Sequence, residues 1–515
     1  MLDAIFKIGY IQDIINEETV DLEQLKNLIG CKKKFIKDLD LNQLYDKINL
    51  CKTHFGSIIL KNRILNPYEN NTILNKINIL IVKKSPEIKK YLQEIGTIQN
   101  TLINLINIPE NHETLINNIC FTDYFKKLNK YEYAIQAHVL INIYSPVYNI
   151  LSPLIILVIP LMLSLLIPKK YINIFMNTFF IGIPNIKKLQ YKTVGQIVYT
   201  LLNIVVFAYN LYNSIKTCLR TKKVIVFVEK KLNCFNEVVD ILEKLNKIIP
   251  TEFQIPPKTT LNCSRGQLVL QYLNLPKKDE FKKIAMYIGK LDVYQTCAEL
   301  IDKDYCLVDE INTKSPIIFM KNFASPLHNI KNNLFLKNKN LLITGPNAGG
   351  KTTLMKSTVC NVILAQTLGI SRSDKMVYRR YDKILTNIVK TGGKMSLFQT
   401  EIKNLGEIIE YCKKETCLVA LDEICSSTNS KEGSIVAYNI AKKLGECNST
   451  TIITTHIDHL KKLEKNEKTY LNYHMKINRL GNAVEYTYKL GRGFSNETTV
   501  FDNINKLPID IKKTK

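Results

Sequence analysis

One short stretch of this 515-residue chain has the residues to hold a polyphosphate. Gly345, Gly349, Gly350, Lys351 and Thr352 satisfy the spacing Gly, four residues, Gly-Lys-Ser/Thr. Glycine lets the backbone curl until its N–H groups converge on an anion, and a helix beginning near Lys351 adds its positive dipole end. The Lys351 ammonium can then reach the β- and γ-phosphates, and the Thr352 hydroxyl can ligate Mg2+. Pro346, Asn347 and Ala348 complete the loop, and Thr353 follows it. A chance match in a Gly-containing turn is the bland account; a strand before the loop and a helix after it argue against that.

Hydrolysis also needs a metal ligand and a base beside the terminal phosphate. Thr416 to Leu421 is an apolar strand that ends in Asp422 and Glu423. Asp422 is placed to hold the Mg2+ shell, and Glu423 to orient or deprotonate the attacking water. A third strand from Thr450 ends at His456, which comes near the γ-phosphate if the three strands lie parallel. His459 makes an H-x-x-H pair with it, but no other ligands cluster nearby, so a zinc reading is weak. Between these strands Ser396 would cap a helix whose positive end could face a phosphate, with Glu401 in its second turn.

Such residues need a rigid scaffold. Leu341 to Thr344 reads as a buried strand broken by Gly345, and from about Cys306 short strands, turns and helices alternate in an α/β pattern. Upstream the chain is helical. Residues 1–138 carry apolar positions at helical spacing, such as Ile5, Ile8, Ile11 and Ile15, and 222–249 reads as a charged amphipathic helix. Between Val139 and Ile167 there is no charged residue, enough length to span a bilayer. A second uncharged run, Thr193 to Ile215, carries Tyr199, Tyr209 and Tyr212 near its ends, as interface anchors do. The expected organisation is a helical region (1–138), an apolar region (139–216) with a transmembrane hairpin at about 147–167 and 193–215, a helical arm (217–304) and a nucleotide-binding domain (305–515). A buried helix in a soluble domain is the competing account of each run.

Composition narrows the setting. Lys and Arg number 71 against 46 Asp and Glu, a formal charge of +25 that suits a polyanion such as nucleic acid or an anionic membrane. A joint richness in Lys, Asn and Ile, as A+T-rich coding produces, accounts for part of that excess. The 13 cysteines are scattered without a CxxC pair, which fits free thiols in a reducing compartment. The opening residues Met1 to Lys7 lack the order of a signal peptide, so an intracellular, membrane-associated protein is expected, its nucleotide-binding domain in the cytosol.

The segments Thr344–Thr352, Ser396–Glu401, Leu421–Ile424 and Thr454–His456 together resemble the ATPase domain of the MutS family in order and approximate spacing. Weaker echoes are Lys290-Leu-Asp292, similar to the family's last arm helix, and the segment from Tyr381 to Thr386. The resemblance covers about residues 281–510. It implies an α/β P-loop NTPase fold, an ABC-type head of mixed sheet flanked by helices, that binds ATP with Mg2+ and dimerises. By that resemblance Ser396 would act in trans on the partner's γ-phosphate, Asn347 would line the composite site, and His456 would be the switch residue. It further implies DNA as partner, with mismatched or branched structures signalled to the ATPase through helical arms. The chain departs from the family at Cys425–Thr428, Glu432 and Ser495–Glu497, where the family usually has Arg-Gly-Thr, Asp and Ser-Tyr-Gly. Phe227-Val-Glu229 has the letters of the family's mismatch wedge but lies in a helical segment, so direct mismatch readout is not expected from this chain. Two functions remain open: a DNA-dependent ATPase of repair or recombination, with or without a separate DNA-reading partner, and a membrane-anchored mechanochemical ATPase with another role.

Overall fold

Strands buried on both faces read as unbroken apolar runs, and three of them form the centre of the nucleotide-binding region. The computed structural model describes residues 39–67, 72–103, 118–166, 193–275, 278–388, 397–426, 430–480 and 483–495. The strands are β1 (Cys306–Leu307), β2 (Asp309–Glu310), β3 (Ile317–Phe323), β4 (Asn332–Lys337), β5 (Asn340–Thr344), β6 (Ile370–Ser371), β7 (Lys375–Tyr378), β8 (Lys383–Asn387), β9 (Cys417–Asp422), β10 (Thr450–Thr454), β11 (Tyr470–Leu480) and β12 (Ala483–Arg492). Six of them make one sheet in the order β12-β11-β5-β10-β9-β8, parallel except for β12 at its edge. Register brings the strand ends together: Thr454 lies opposite both Ile343 and Asp422. A smaller sheet runs β2-β7-β3-β4. The helices are α1 (Leu41–Ile48), α2 (His54–Leu65), α3 (Thr72–Lys84), α4 (Glu87–Ile103), α5 (Glu132–Leu166), α6 (Thr193–Ile248), α7 (Arg265–Leu273), α8 (Lys278–Ile301), α9 (Lys351–Leu368), α10 (Leu397–Lys414), α11 (Ser430–Gly445) and α12 (Lys462–Asn466). This is a mixed α/β domain preceded by a helical region.

The described residues fold as two units: one holds 39–96, Leu245–Thr251 and 282–495, the other Thr97–Lys244 and Glu252–Phe281. In the first unit α9 is buried along nearly its whole length against the sheets and against α2 and α3. Lys356 pairs with Asp40 at 2.7 Å, Asn75 Nδ2 donates to Thr367 O at 3.3 Å, and Gln366 Nε2 donates to Pro67 O at 3.1 Å. The N-terminal helices are thereby fixed to the helix that follows the phosphate loop. A buried carboxylate joins them to α8 as well. Asp292, fully buried, accepts from Lys52 N at 3.0 Å, from Thr53 N at 2.8 Å and from Thr53 Oγ at 2.7 Å, while Thr53 Oγ caps α2 by accepting from Gly56 N. Gly289 lets the helices approach this closely, since a Cβ there would meet Ile59 Cδ1 at 2.5 Å.

In the second unit Ile119, Ile135, Val139, Val224, Leu232 and Leu268 form a core shared by α5, α6 and α7. Phe227 packs against it with the Lys231 ammonium 4.9 Å from its ring centre, so the letters of the mismatch wedge belong to a helix side chain of the core. The expected transmembrane hairpin is not supported: among the described residues no helix is long and apolar enough to cross a membrane. The second apolar run opens one continuous 56-residue helix, α6, which carries Asn203 and Asn210 and passes directly into Lys216, Arg220, Lys222 and Lys223. Residues 167–192, the side chains of 153–166 and 193–200, and the helices expected before residue 39 lie outside the described residues.

Burial pushes the Asp292 carboxyl up, against the hydrogen bonds that hold it down. Asp292→Ala would strand the Lys52 and Thr53 donors and is expected to lower stability by about 3 kcal/mol in denaturant unfolding. Asp292→Asn keeps an acceptor and should lose less. With its folded pKa raised, Asp292 holds its proton more tightly in the native state than unfolded; the parent should therefore gain stability relative to Asp292→Asn as pH falls from neutrality through the raised value toward the ordinary one.

Candidate nucleotide site

The loop between β5 and α9 needs backbone conformations that few residues adopt. Gly345 has φ +136°, Gly350 φ +88° and Ala348 φ +63°, so successive N–H groups turn inward. Gly350 caps α9 in the left-handed region, and Tyr488 presses on it: a Cβ there would lie 2.9 Å from Tyr488 Cδ1. Tyr488 is itself left-handed (φ +54°), fixed by Asn332, whose Nδ2 donates to Tyr488 O while its Oδ1 accepts from Leu490 N. Asn347 and Ala348 face outward, and Pro346 and Gly349 are buried.

Lys351 is only 6% exposed. Its ammonium donates to Gly345 O and Pro346 O, each at 3.1 Å, and lies 2.9 Å from His456 Nε2. Burial lowers the Lys351 pKa, opposed by the charges of Glu423 and Asp422. Burial and the neighbouring Lys351 cation likewise lower that of His456, against Glu423, whose Oε1 lies 3.3 Å from Nε2. A neutral imidazole accepting from the ammonium at Nε2 satisfies that balance. Thr352 Oγ1 donates to Asp422 at 2.9 and 3.0 Å, and Thr454 Oγ1 donates to the same carboxylate. Thr353 follows on the first turn of α9.

Glu423 has φ +49° and Cys425 φ +57°, a turn no side chain adopts without support. Glu423 N donates to Thr454 O at 3.0 Å, and Cys425 N donates to the buried Glu401 carboxylate at 2.9 Å. Glu401 and Thr454 thus aim Glu423. Reading the sequence for a base and a metal ligand misses both, although each lies inside a quoted motif; a glutamate in line with the apolar face of α10, at helical spacing from Leu405, Ile408 and Cys412, is the signal that marks Glu401. The structure gathers the phosphate loop, Asp422, Glu423 and His456 at one sheet edge, while Ser396 lies outside the described residues. Among the described residues no group of three His, Cys, Asp or Glu could hold a metal by itself, which leaves the H-x-x-H pair without further ligands. His459 instead stacks on Tyr438 at 5.0 Å.

Residues 341–506 match MutS domain V. The C-terminal half carries a MutS-family ATPase domain. It is similar to the DNA mismatch repair protein MutS of Persephonella marina, 28% identical over 43% of this chain and 26% of that protein, and to that of Finegoldia magna, 29% identical over 44% and 28%. It is also similar to the endonuclease MutS2 of Staphylococcus haemolyticus, 30% identical over 33% of this chain and 22% of that protein. The chain thus spans about a quarter of the length of the curated relatives it matches. Domain V implies ATP as ligand.

Because Glu401 acts on Glu423 through the Cys425 amide, Glu401→Ala is expected to slow ATP turnover about tenfold while ATP affinity stays within about threefold. Turnover with separately measured nucleotide binding checks this, and Glu401→Gln, which keeps the acceptor, should restore most of the rate.

Proposed function

We propose that this chain is an ATP-hydrolysing, MutS-type protein that acts on DNA, at mismatched or branched structures, and couples turnover to movement of its helical region in repair or recombination. The observation that carries the ATPase reading is the Lys351 ammonium, buried in the phosphate loop and held by two carbonyls and an imidazole. Triphosphate oxygens are stronger acceptors than these and would draw it outward. The Thr352–Asp422 pair fits a hard cation, because a hydroxyl and a carboxylate already converge there. Mg2+, when bound, supplies charge neutralisation at the phosphates. Thr352 and Asp422 would hold it.

Glu423, half-exposed beside this pair, accepts the proton of the attacking water, and His456 holds position between Glu423 and Lys351. The loop amides of Gly345–Thr353 and the N-terminus of α9 stabilise the charge that develops on the phosphoryl oxygens. The likeness to MutS supports a head-to-head homodimer in which Ser396 of one copy completes the site of the other, beside Asn347 at the loop's exposed rim. The positive balance of the chain and its likeness to MutS support DNA as the partner. The membrane-anchored alternative gains no support from the described residues, among which no helix is long and apolar enough to cross a membrane.

Lys351→Ala is expected to abolish ATP binding in equilibrium titration. Glu423→Gln should bind ATP normally yet hydrolyse it at least about a hundredfold more slowly. Full turnover in both variants would overturn the site. Turnover of the parent measured with and without duplex or branched DNA tests the second half of the reading, and a rate indifferent to DNA would remove it.

A further inference from the structure

Exposed aromatic side chains are unusual in clusters, and the entrance to α5 carries one. Within ten residues Tyr124 is 92% exposed, Phe125 60%, Tyr131 63% and Tyr133 86%. Lys126, Lys127 and Lys130, all exposed, alternate with them along a 3-10 helix, Asp123–Lys130, and the first turn of α5. The backbone beneath is braced. Asn129 bonds Phe121 in both directions at 2.8 Å, Ile119 and Ile135 are fully buried on either side, and the Phe121 and His138 rings lie 4.6 Å apart. The nearby Glu132 carboxylate accepts from Ser264 Oγ at 2.6 Å, which turns that negative charge toward α7 and away from the lysines.

From this geometry we infer that the segment Tyr124–Tyr133 is a contact surface for unpaired nucleotides of DNA. Flat rings on a fixed backbone offer stacking faces to any base, and interleaved ammonium groups track the phosphates between them. Duplex DNA keeps its bases stacked and presents only phosphates, so the rings add nothing there; a gap, bulge, mismatch or branch point exposes bases that can use them. Within 121–133 the exposed apolar residues are three tyrosines and one phenylalanine, rings on which a base can stack; exposed large aliphatic side chains begin only at Ile141, further along α5. The inference rests on the DNA reading above and specifies where and what the protein touches.

The test uses the full chain and fluorescence anisotropy of a labelled oligothymidylate, a matched duplex, and the same duplex with an unpaired thymidine loop. Replacing Tyr124, Phe125, Tyr131 and Tyr133 together by Ala should weaken oligothymidylate and looped-duplex binding about tenfold or more, leave matched-duplex binding within about twofold, and keep the salt slope. Replacing Lys126, Lys127 and Lys130 by Ala should instead flatten the slope of log affinity against log salt by about 2. DNA-free ATP turnover unchanged in both variants shows that they fold. Undiminished oligothymidylate binding by the aromatic variant overturns this surface while leaving DNA as partner. A parent that binds none of the three probes, with turnover indifferent to DNA, removes the DNA reading and this surface with it. Binding to mixed phosphatidylcholine–phosphatidylserine vesicles that is lost with the rings, without oligothymidylate binding, assigns the surface to lipid and overturns the proposal.

Discussion

A lysine ammonium buried without a carboxylate at bonding distance is the constraint around which the nucleotide-binding unit is built. Desolvating a cation is expensive, and only acceptors in good geometry offset it. At Lys351 those acceptors are two carbonyls of its own loop and the His456 ring, so the loop must hold the left-handed residues Gly345, Ala348 and Gly350 to present them. His456 in turn must come from the end of β10, the immediate neighbour of β5, which makes the parallel register a condition of the site. Neutral acceptors hold a cation more weakly than phosphate oxygens would. The arrangement is therefore stable enough to fold and weak enough to yield to an anionic ligand.

That yielding does not stay local. Lys351 is the first residue of α9, a helix buried on nearly all sides and therefore unable to bend without repacking. Its side chains reach the N-terminal helices through Lys356–Asp40 and the Gln366 and Asn75 bonds, and those helices are tied to α8 by Asp292. Arg380 adds a further link, donating to Thr72 Oγ1 at 2.9 Å and to Glu310 Oε1 at 3.3 Å. A displacement at the phosphate loop thus meets a continuous set of hydrogen bonds and packed side chains before it meets solvent. Packed side chains and hydrogen bonds thus run without a break from the phosphate loop to α1–α3 and α8.

Much of the site is legible in sequence because its chemistry demands rare residues at fixed spacing. No other economical arrangement explains Gly345 to Thr352 between a buried strand and a helix, and the apolar run ending in Asp422 and Glu423 has few alternatives. Glu401 and Thr454 escape because they act through a backbone amide and a hydroxyl, which no spacing rule encodes. Asp292 escapes for a related reason: its partners, Lys52 and Thr53, lie some 240 residues away, and only the fold brings them within reach. The second apolar run is hard to read because an absence of charge states how greasy a helix is but not where it ends. Asn203 and Asn210 and the basic stretch beginning at Lys216 sit in one unbroken helix with the second run, and hydropathy read in windows separates what the backbone joins.

The chain's charge poses the remaining question, since +25 spread over 515 residues, and partly the product of a Lys-rich composition, says little about where a polyanion would lie. Charge alone also confers affinity without discrimination, because every phosphate backbone looks alike to a dispersed field. Discrimination needs a second kind of contact whose strength depends on whether bases are free. Exposed rings set on a braced backbone provide it, for they gain nothing from a stacked duplex and much from an unpaired base. The combination in Tyr124–Tyr133 is therefore worth more than either half, and it is where the scattered positive charge acquires a geometry. Irregular DNA is told from a stacked duplex wherever selectivity lies in stacking platforms of this kind.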